Sequence, residues 1–314
     1  MNALKVICWN CRGSSNVRTI NRIKELMKSL QPGVVCLVET RADTARAMNL
    51  CKKFEKHWEW AIIPALGMSG GIITFWKQEI GMVTPLAINR YSVHLIISSQ
   101  KPREWIISVI YNAQNIQSQR AVWRSLEVFS SLNLPWTLMG DFNAILNDEE
   151  HRGGSFDHYS PKSKLFNEFV SGNQLLDLGF SGSPFTWCNN QLGLARRWAR
   201  LDRVLANDEW ITHFESYYIK HLPRTASDHA PILLTAKFFT YHRRRVFRFE
   251  NYWFEYENCH DHVCRAWSSV SLTSPMHTFS HCISRTRSLL SKWKIKGLNQ
   301  IDKDIDKTAK ENPP

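Results

Sequence analysis

The chain has 314 residues, of which 43% are hydrophobic and 22% are charged, a composition that supports a folded core and excludes wholesale disorder. Its 40 lysine and arginine residues against 28 aspartate and glutamate residues give a net charge of +12, which favours an anionic partner such as nucleic acid. The sequence contains no run of about 20 apolar residues, so it predicts no membrane span.

The cysteines and the N-terminus bear on where the protein works. The eight cysteines are scattered along the chain, which is typical of small buried side chains in a reducing compartment rather than of a disulfide framework. The first residues, MNALKVICWNCRG, show no basic-then-apolar leader. We therefore expect a protein of the nucleus or the cytoplasm that is not secreted.

In chain order, short apolar runs predict strands and amphipathic stretches predict helices. Residues 5–9 predict a strand, and residues 17–30 predict a helix that ends at the sequence Gln-Pro-Gly. Further strands are predicted at 33–38, 60–63, 71–76, 91–97, 104–110, 136–139, 185–188 and 232–236, and further helices at 44–54, 119–132 and 162–169. Adjacent strands mixed with strand–helix alternation predict an α/β or α+β fold with mixed sheets.

The pattern of strands stops near residue 236, where the basic and aromatic segment KFFTYHRRRVFRFENYWFEYE begins. Residues 237–314 hold 14 basic and 8 acidic residues, and this quarter of the chain therefore carries half of the net positive charge. A charged helix is predicted at 289–307. We expect two parts, a domain at 1–236 and a basic, partly helical connector at 237–314.

Polar side chains stand at the ends of several predicted strands. These are Asn10, Glu39, Tyr111, Asp141 with Asn143, and Asp228 with His229. Functional groups at strand ends suit a site at one edge of a rigid sheet. For any single position, a solvent-exposed loop after the strand explains the polar residue equally well. The combination of carboxylates, amides, a phenol and an imidazole favours a catalytic site.

The chemistry of this set favours Mg²⁺ over other catalytic designs. Carboxylate and amide oxygens are the ligands that Mg²⁺ takes, whereas a zinc site would use more histidine or cysteine. A serine triad is poorly supported, because Ser227, Asp228 and His229 are adjacent and neighbouring residues on an extended chain point to opposite faces. The set fits a phosphodiesterase that activates a water molecule.

Six motifs occur in the order typical of the endonuclease/exonuclease/phosphatase superfamily, which the sequence resembles over residues 5–236. They are CWNCRG (8–13), ET (39–40), the strand-terminal Tyr111, GDFN (140–143), RLDRVL (200–205) and SDHAP (227–231). Within the superfamily the chain resembles the endonuclease of plant LINE-type (non-LTR) retrotransposons, through RAVWRSL (120–126), SGSPFTWCNN (181–190), ARRWARLDR (195–203) and FRFENYWF (247–254). The resemblance implies a DNase I-like, four-layer sandwich of two mixed β-sheets flanked by helices.

The resemblance also implies a metal site. Glu39 would be the principal Mg²⁺ ligand, with Asn10 and Asp228 assisting, and Mn²⁺ would be a substitute. Arg41 stands two residues after Glu39, where repair-type relatives commonly have lysine. The metal would polarise the phosphate and stabilise the leaving oxygen.

Five catalytic roles follow from the same resemblance. Asp141 would activate the attacking water, and Asn143 would position it. His229 would bind a phosphate oxygen while Asp202 orients its ring, and Tyr111 would contact the phosphate. A carboxylate beside an imidazole favours the imidazolium form, which is a donor suited to the charge that builds on phosphorus.

The basic stretch at 196–203 has two interpretations. Arg196, Arg197 and Arg200 could neutralise DNA phosphates while Trp198 enters a groove. Alternatively, the stretch is a solvated hairpin whose tryptophans lie in the core. The sequence leaves both open.

The function that these features predict is a Mg²⁺-dependent endonuclease that nicks DNA and leaves 3′-hydroxyl and 5′-phosphate ends. Two alternatives stay open: a phosphatase on a polyphosphate or lipid head group, since a fold does not fix its substrate, and a catalytically silent remnant that binds nucleic acid. We expect a monomer that binds DNA and no membrane. The chain has no reverse transcriptase domain, so it resembles a fragment or a stand-alone remnant of such an element.

Overall fold

A computed structural model of the chain describes residues 3–54, 58–98, 104–154, 159–238, 249, 251–268, 278–279, 282–283, 285–290 and 293. The chain divides into two compact units, Met1–Thr240 and Tyr241–Pro314. The boundary expected after residue 236 falls within the last strand of the first unit, which runs to Phe238. Among the described residues, no helix is both long enough and apolar enough to span a bilayer.

The first unit contains the predicted strands and helices in the predicted order, together with strands and one helix that the sequence analysis did not predict. The strands are β1 (Leu4–Asn10), β2 (Val34–Val38), β3 (Trp58–Ile63), β4 (Ile72–Lys77), β5 (Met82–Asn89), β6 (Ser92–Ser98), β7 (Trp105–Tyr111), β8 (Trp136–Asp141), β9 (His151–Arg152), β10 (Leu176–Asp177), β11 (Trp187–Cys188), β12 (Trp198–Ala199), β13 (Asp202–Ala206), β14 (Phe214–His221) and β15 (Ile232–Phe238). The helices are α1 (Val17–Leu30), α2 (Thr44–Lys52), α3 (Ile116–Ser130), α4 (Ser160–Gly172) and α5 (Asp208–His213), and α6 (Glu257–Trp267) belongs to the second unit.

Two six-stranded mixed sheets form the centre of the first unit. One has the strand order β14-β15-β1-β2-β4-β3 and the other has β10-β13-β8-β7-β6-β5. Each sheet contains one parallel pair, β1 with β2 and β7 with β8, and its other pairs are antiparallel. The strands β11, β12 and β9 form a separate small sheet.

The two large sheets pack face to face, and helices cover their outer faces. Val6 of the first sheet shares one buried cluster with Leu95 and Ile107 of the second. On the outside of the first sheet, Ile23 of α1 packs in a separate buried cluster, and on the outside of the second, Trp123 of α3 does the same. The predicted four-layer α/β sandwich is therefore confirmed.

The differences from the predicted elements lie at helix ends, in the unpredicted helix α5 and in the unpredicted strands, the longest of which are β5 and β14. Helix α3 begins three residues before the predicted start because Asn115 caps it, its side-chain oxygen accepting from the Ser118 amide at 2.8 Å. Strand β14 was missed because its sequence, FESYYIKH, contains only one aliphatic side chain, as an edge strand with mostly exposed or half-buried positions allows. Most of the charged helix predicted at 289–307 lies outside the described residues.

A glycine allows the two strands that carry the site to approach each other closely. Gly140 has φ +145° and precedes the last residue of β8, and a Cβ there would lie 1.9 Å from the carbonyl oxygen of Ile110 on β7. No other residue fits without moving one of these strands. The GDFN motif therefore requires its glycine for backbone packing at the end of β8.

Candidate active site

The predicted site residues meet where the central strands of both sheets end. Asn10 ends β1 and Glu39 follows β2, while Tyr111 and Asp141 end β7 and β8. Because each of these pairs of strands is parallel, their carboxyl ends lie at the same edge of the sheet. Antiparallel neighbours add Asp202, which pairs with Asp141 across β13 and β8.

Asn10 links the two sheets through its side-chain amide. Its Nδ2 donates to Glu39 Oε2 at 2.9 Å and to Asp141 Oδ2 at 2.8 Å, and it lies 3.4 Å from His229 Nε2. All four side chains are buried. Two carboxylate oxygens and one imidazole nitrogen thus converge on a single point at the junction of the two sheets.

The opposite nitrogen of the histidine ring is held by a carboxylate. His229 Nδ1 lies 2.8 Å from Asp202 Oδ2, whereas its Nε2 lies 3.9 Å from Asp141 Oδ2. The Trp9 indole donates to the carbonyl oxygen of His229 at 3.1 Å. Asp202 therefore holds the ring through Nδ1, and Trp9 holds the backbone of the same residue. The other ring nitrogen, Nε2, faces the point where Asn10 and Asp141 meet.

The electrostatics of this pair follow from burial and from the surrounding carboxylates. Burial alone would lower the pKa of His229, but the charges of Asp202 and Asp141 outweigh it and raise the pKa to about 9. Burial also raises the pKa of Asp141 to about 7, although the neighbouring His229 opposes that shift. Tyr111 is buried close to Glu39 and Asp141, and burial and those negative charges raise the pKa of its phenol.

Asp228 has a different environment from the other carboxylates. Its Oδ2 accepts from the Trp187 indole at 3.1 Å and forms an ion pair with Arg12, while Ser227 Oγ lies 3.3 Å from its Oδ1. Ser227 Oγ also donates to the carbonyl oxygen of Asn10 at 2.8 Å. The structure thus places Asp228 among protein donors that occupy its oxygens.

Glu39 is likewise held on both oxygens. Arg41 donates to Glu39 Oε1 from Nε at 3.1 Å and through a second, closer contact from Nη2, while Asn10 occupies Oε2. The amide oxygen of Asn10, which the sequence assigns to the metal, instead accepts from the backbone N–H of Arg12 at 3.1 Å. Its nitrogen, not its oxygen, faces the carboxylates.

Asn143 is tied to the backbone around it. Its side-chain nitrogen donates to the carbonyl oxygen of Asn112 at 2.8 Å, and its backbone N–H donates to Asp141 Oδ1 at 2.9 Å. Asn112 is itself buried and donates to the carbonyl oxygen of Phe142 at 2.9 Å. The structure therefore shows Asn143 fixing the orientation of Asp141.

Several loops at the site adopt left-handed backbone conformations without glycine. Arg12, Glu39, Arg41 and Asn143 have φ values of 46°, 52°, 51° and 48°. Such conformations are uncommon for residues with a Cβ, and they cluster where surrounding structure determines the backbone. Here that structure includes hydrogen bonds from the amides of Thr40 and Arg41 to the carbonyl oxygens of Gly71 and Gly70.

The donor set around Asn10 fits a divalent cation that prefers oxygen ligands. Glu39 Oε2 and Asp141 Oδ2 both lie within 2.9 Å of the same nitrogen atom, so two buried carboxylate oxygens already converge. Among the described residues, three side chains that commonly bind metals, Asp141, Asp202 and His229, each place a ligand atom within 4.8 Å of the other two. We interpret that trio as a carboxylate–imidazole set instead, because His229 Nδ1 is engaged by Asp202.

The arginines of the predicted DNA-binding stretch separate into two kinds. Arg196 and Arg197 are exposed, and the guanidinium of Arg196 lies 5.9 Å from the ring centre of half-buried Trp198. Arg200 is buried, an environment that does not favour the DNA contact predicted for it. Its guanidinium donates to Glu150 Oε1 at 2.9 Å and to Asp177 Oδ1 at 2.7 Å, so it serves the fold.

The exposed face of this hairpin borders a groove. The groove has a volume of about 690 Å³ and is lined by Arg152, Phe185, Leu194, Arg196 and Trp198, among others. It therefore combines positive charge with aromatic and apolar surface, a combination typical of nucleic-acid contact.

Sequence reasoning missed three residues that shape the site. Arg12 pairs with Asp228, Trp187 donates to the same carboxylate, and Arg224 lies 4.7 Å from the ring centre of Trp198. Arg12 lies within the CWNCRG motif, two residues after Asn10, and this position could have indicated that it belongs to the site. Nothing in the sequence indicated the contacts of Trp187 or Arg224.

The fold and the site together define a class of protein. An α/β sandwich that buries carboxylates, an amide and a paired imidazole where its two sheets meet is the arrangement of nuclease- and phosphatase-type hydrolases. The Endonuclease/Exonuclease/phosphatase family matches residues 7–229, and the chain belongs to that family. A comparison with curated protein sequences finds no match.

Solved structures with the same fold include DNA-processing enzymes. The AP endonuclease LMAP of Leishmania major is 16% identical with a TM-score of 0.61, over 75% of this chain and 88% of that one. The 3′ phosphatase NExo of Neisseria, bound to a product DNA hairpin, is 17% identical with a TM-score of 0.57, over 75% and 99%. The catalytic domain of Xenopus laevis APE2 is 18% identical with a TM-score of 0.57, over 74% and 92%. At these identities the likeness establishes the fold.

Proposed function

We propose that this protein is a Mg²⁺-dependent endonuclease that nicks DNA, of the kind found in plant LINE-type retrotransposons. The observation that carries the proposal is the convergence of Glu39, Asp141 and His229 on the side-chain nitrogen of Asn10, with Asp202 behind the imidazole. A nick requires a base for water, a donor for the phosphate and a site for a cation, and these residues can supply all three.

Each side chain has a role that its position supports. Asp141 accepts the proton of the attacking water, and Asn143 keeps that carboxylate oriented through its backbone N–H. His229 donates from Nε2 to a phosphate oxygen, and Asp202 holds the ring so that this nitrogen faces the substrate. Tyr111, at the end of β7 beside Asp141, contacts the same phosphate.

Glu39 and Asn10 would hold the Mg²⁺ ion, once the amide of Asn10 presents its oxygen. Asp228, the third expected ligand, would first have to exchange its contacts with Arg12 and Trp187. A bound Mg²⁺ supplies Lewis-acid polarisation of the phosphate.

DNA is the substrate that the surface of the first unit supports. Exposed Arg196 and Arg197 precede Trp198, and Arg196 and Trp198 line the groove described above, where arginines can neutralise phosphates. Two of the solved neighbours are named as an AP endonuclease and a 3′ phosphatase, and the structure of the second contains a product DNA hairpin. The basic net charge of +12 is consistent with the same substrate.

Conversion of supercoiled plasmid to the nicked form tests the proposal. We expect nicking with Mg²⁺ and none with EDTA. Glu39→Gln should slow nicking by roughly 10²-fold or more, because a metal contributes several kcal/mol to the transition state. Glu168→Gln, which changes an exposed carboxylate on α4, is the matched control and should nick at the wild-type rate.

Other outcomes would replace the proposal with one of its alternatives. Hydrolysis of an inositol polyphosphate without plasmid nicking would identify a phosphatase. DNA binding with no hydrolysis of either substrate, under any divalent cation, would identify a silent nucleic-acid-binding remnant.

A further inference from the structure

Arg41 contacts the carboxylate that the proposed cation needs. Both of its hydrogen bonds, from Nε and from Nη2, go to Glu39 Oε1, and they form an ion pair between residues two positions apart. The other oxygen of Glu39 is occupied by Asn10. A guanidinium and a divalent cation repel each other, so both cannot hold one carboxylate at full strength.

The side chain of Arg41 can leave without disturbing the backbone. Its backbone N–H donates to Gly70 at 2.9 Å, and the preceding Thr40 amide donates to Gly71 at 3.0 Å, so the loop is anchored by the neighbouring turn. The side chain is 28% exposed, in contrast to the more buried side chain of Glu39 at 10%. The guanidinium therefore has solvent on one side and Glu39 on the other.

We propose that Arg41 and the divalent cation compete for Glu39, and that the displaced guanidinium binds a phosphate of the DNA. This inference rests on the proposed function. Arginine suits both positions, because its planar fork of donors matches carboxylate and phosphate oxygens alike. The same residue would thus hold Glu39 in the free protein and the substrate in the cation-bound protein.

The exchange has a thermodynamic consequence that an ordinary phosphate contact does not have. If the cation frees Arg41 for the DNA, the cation strengthens DNA binding, and by reciprocity DNA strengthens cation binding. Arg41 would then contribute to DNA affinity only when the cation is present. An arginine that simply contacts phosphate would contribute equally in both conditions.

The first measurement is cation affinity in the absence of DNA. Titration calorimetry with Ca²⁺, which also takes oxygen ligands, compares the wild type with Arg41→Gln. We expect Arg41→Gln to bind Ca²⁺ about 5- to 10-fold more tightly, because the competitor is gone. Arg46→Gln is the matched control: it removes the same charge from an exposed helix position, where Arg46 pairs with exposed Asp43, and should leave the affinity unchanged.

The second measurement is the salt dependence of DNA binding, followed by fluorescence anisotropy of a labelled duplex that a gel shows to be intact. With Ca²⁺, the slope of log K against log salt should be shallower by about 0.9 in Arg41→Gln than in the wild type, the loss of one phosphate contact. With EDTA, the two slopes should agree. Arg41→Lys, which keeps a cation, should retain the wild-type slope in Ca²⁺.

The outcomes separate this inference from the function on which it rests. A wild-type protein that binds neither Ca²⁺ nor Mg²⁺ overturns both. Binding of Ca²⁺ by the wild type with equal or weaker binding by Arg41→Gln overturns the competition alone, since Arg41 would then only orient Glu39. A slope difference that is the same in Ca²⁺ and in EDTA overturns the exchange. Thermal melts verify that the variants are folded, and Arg41→Met, which also lacks the charge, replaces Arg41→Gln in both measurements if the glutamine variant is not folded.

Discussion

Replacing Arg200 and Arg196 by glutamine, one at a time, should distinguish an arginine that stabilises the fold from one that contacts DNA. Arg200 belongs to a buried cluster in which its guanidinium and that of Arg203 contact the carboxylates of Glu150 and Asp177. Arg200→Gln leaves two carboxylates with one guanidinium. Breaking a buried pair in this way costs about 3–5 kcal/mol, and because Arg203 still contacts both carboxylates we expect about 3 kcal/mol.

The matched change at the surface, Arg196→Gln, should affect DNA binding and leave stability nearly unchanged. Arg196 is exposed, so Arg196→Gln should alter the free energy of unfolding by about 0.5 kcal/mol or less, while the salt slope of DNA binding becomes shallower by about 0.9. Urea unfolding measures the first quantity, and anisotropy of a labelled duplex over a range of salt measures the second. An Arg200→Gln variant with an unchanged urea midpoint and a shallower salt slope would refute the reasoning.

Two further predictions follow from the charged groups. Burial would raise the pKa of Glu150 and Asp177, but Arg203 and Arg200 together outweigh it and both pKa values are lowered. Their stabilisation is therefore complete above the ordinary carboxylate range and is lost as the pH falls through the lowered values, so the urea midpoint should drop below about pH 4 and Glu150→Gln should flatten that drop. At the site, Asp202→Asn should lower kcat for nicking more than it changes KM, and adding it to His229→Ala should cost little more, whereas additive losses would show that the two residues act separately.

The apolar pattern of the sequence predicted a mixed α/β fold with polar groups at its strand ends, and the resemblance to the superfamily supplied the four-layer arrangement. Parallel pairing brings the end of β1, with Asn10, beside the end of β2, next to Glu39, and likewise brings Tyr111 on β7 beside Asp141 on β8. The packing of the two sheets against each other then brings these two pairs together. The pairing of Asp202 with His229 came from the resemblance alone. The structure brings the two side chains to 2.8 Å through β13 and the loop before β15, a closeness that no local pattern encodes.

The contacts that the sequence could not provide are those between charges far apart in the chain. In the motif RLDR, Arg200 looks like an exposed basic residue, and only its contacts with Glu150 and Asp177, 50 and 23 positions away, show that it is buried. The ion pair of Asp228 could not be predicted from the sequence either, because its partner Arg12 lies 216 positions away. Long-range ion pairs of this kind have no periodicity and no spacing by which a sequence would reveal them.

The left-handed residues at the site show which parts of it are fixed and which can move. Conformations such as those of Glu39 and Arg41 cost about 1–2 kcal/mol each, and the hydrogen bonds that join their loop to the glycine turn before β4 offset that cost. The backbone is therefore set before any substrate arrives, as electrostatic preorganisation requires. The side chain of Arg41, in contrast, combines an ion pair with access to solvent. If Arg41 exchanges as proposed, its guanidinium lets the free protein bury the negative charge of Glu39, which a bound cation would otherwise have to neutralise.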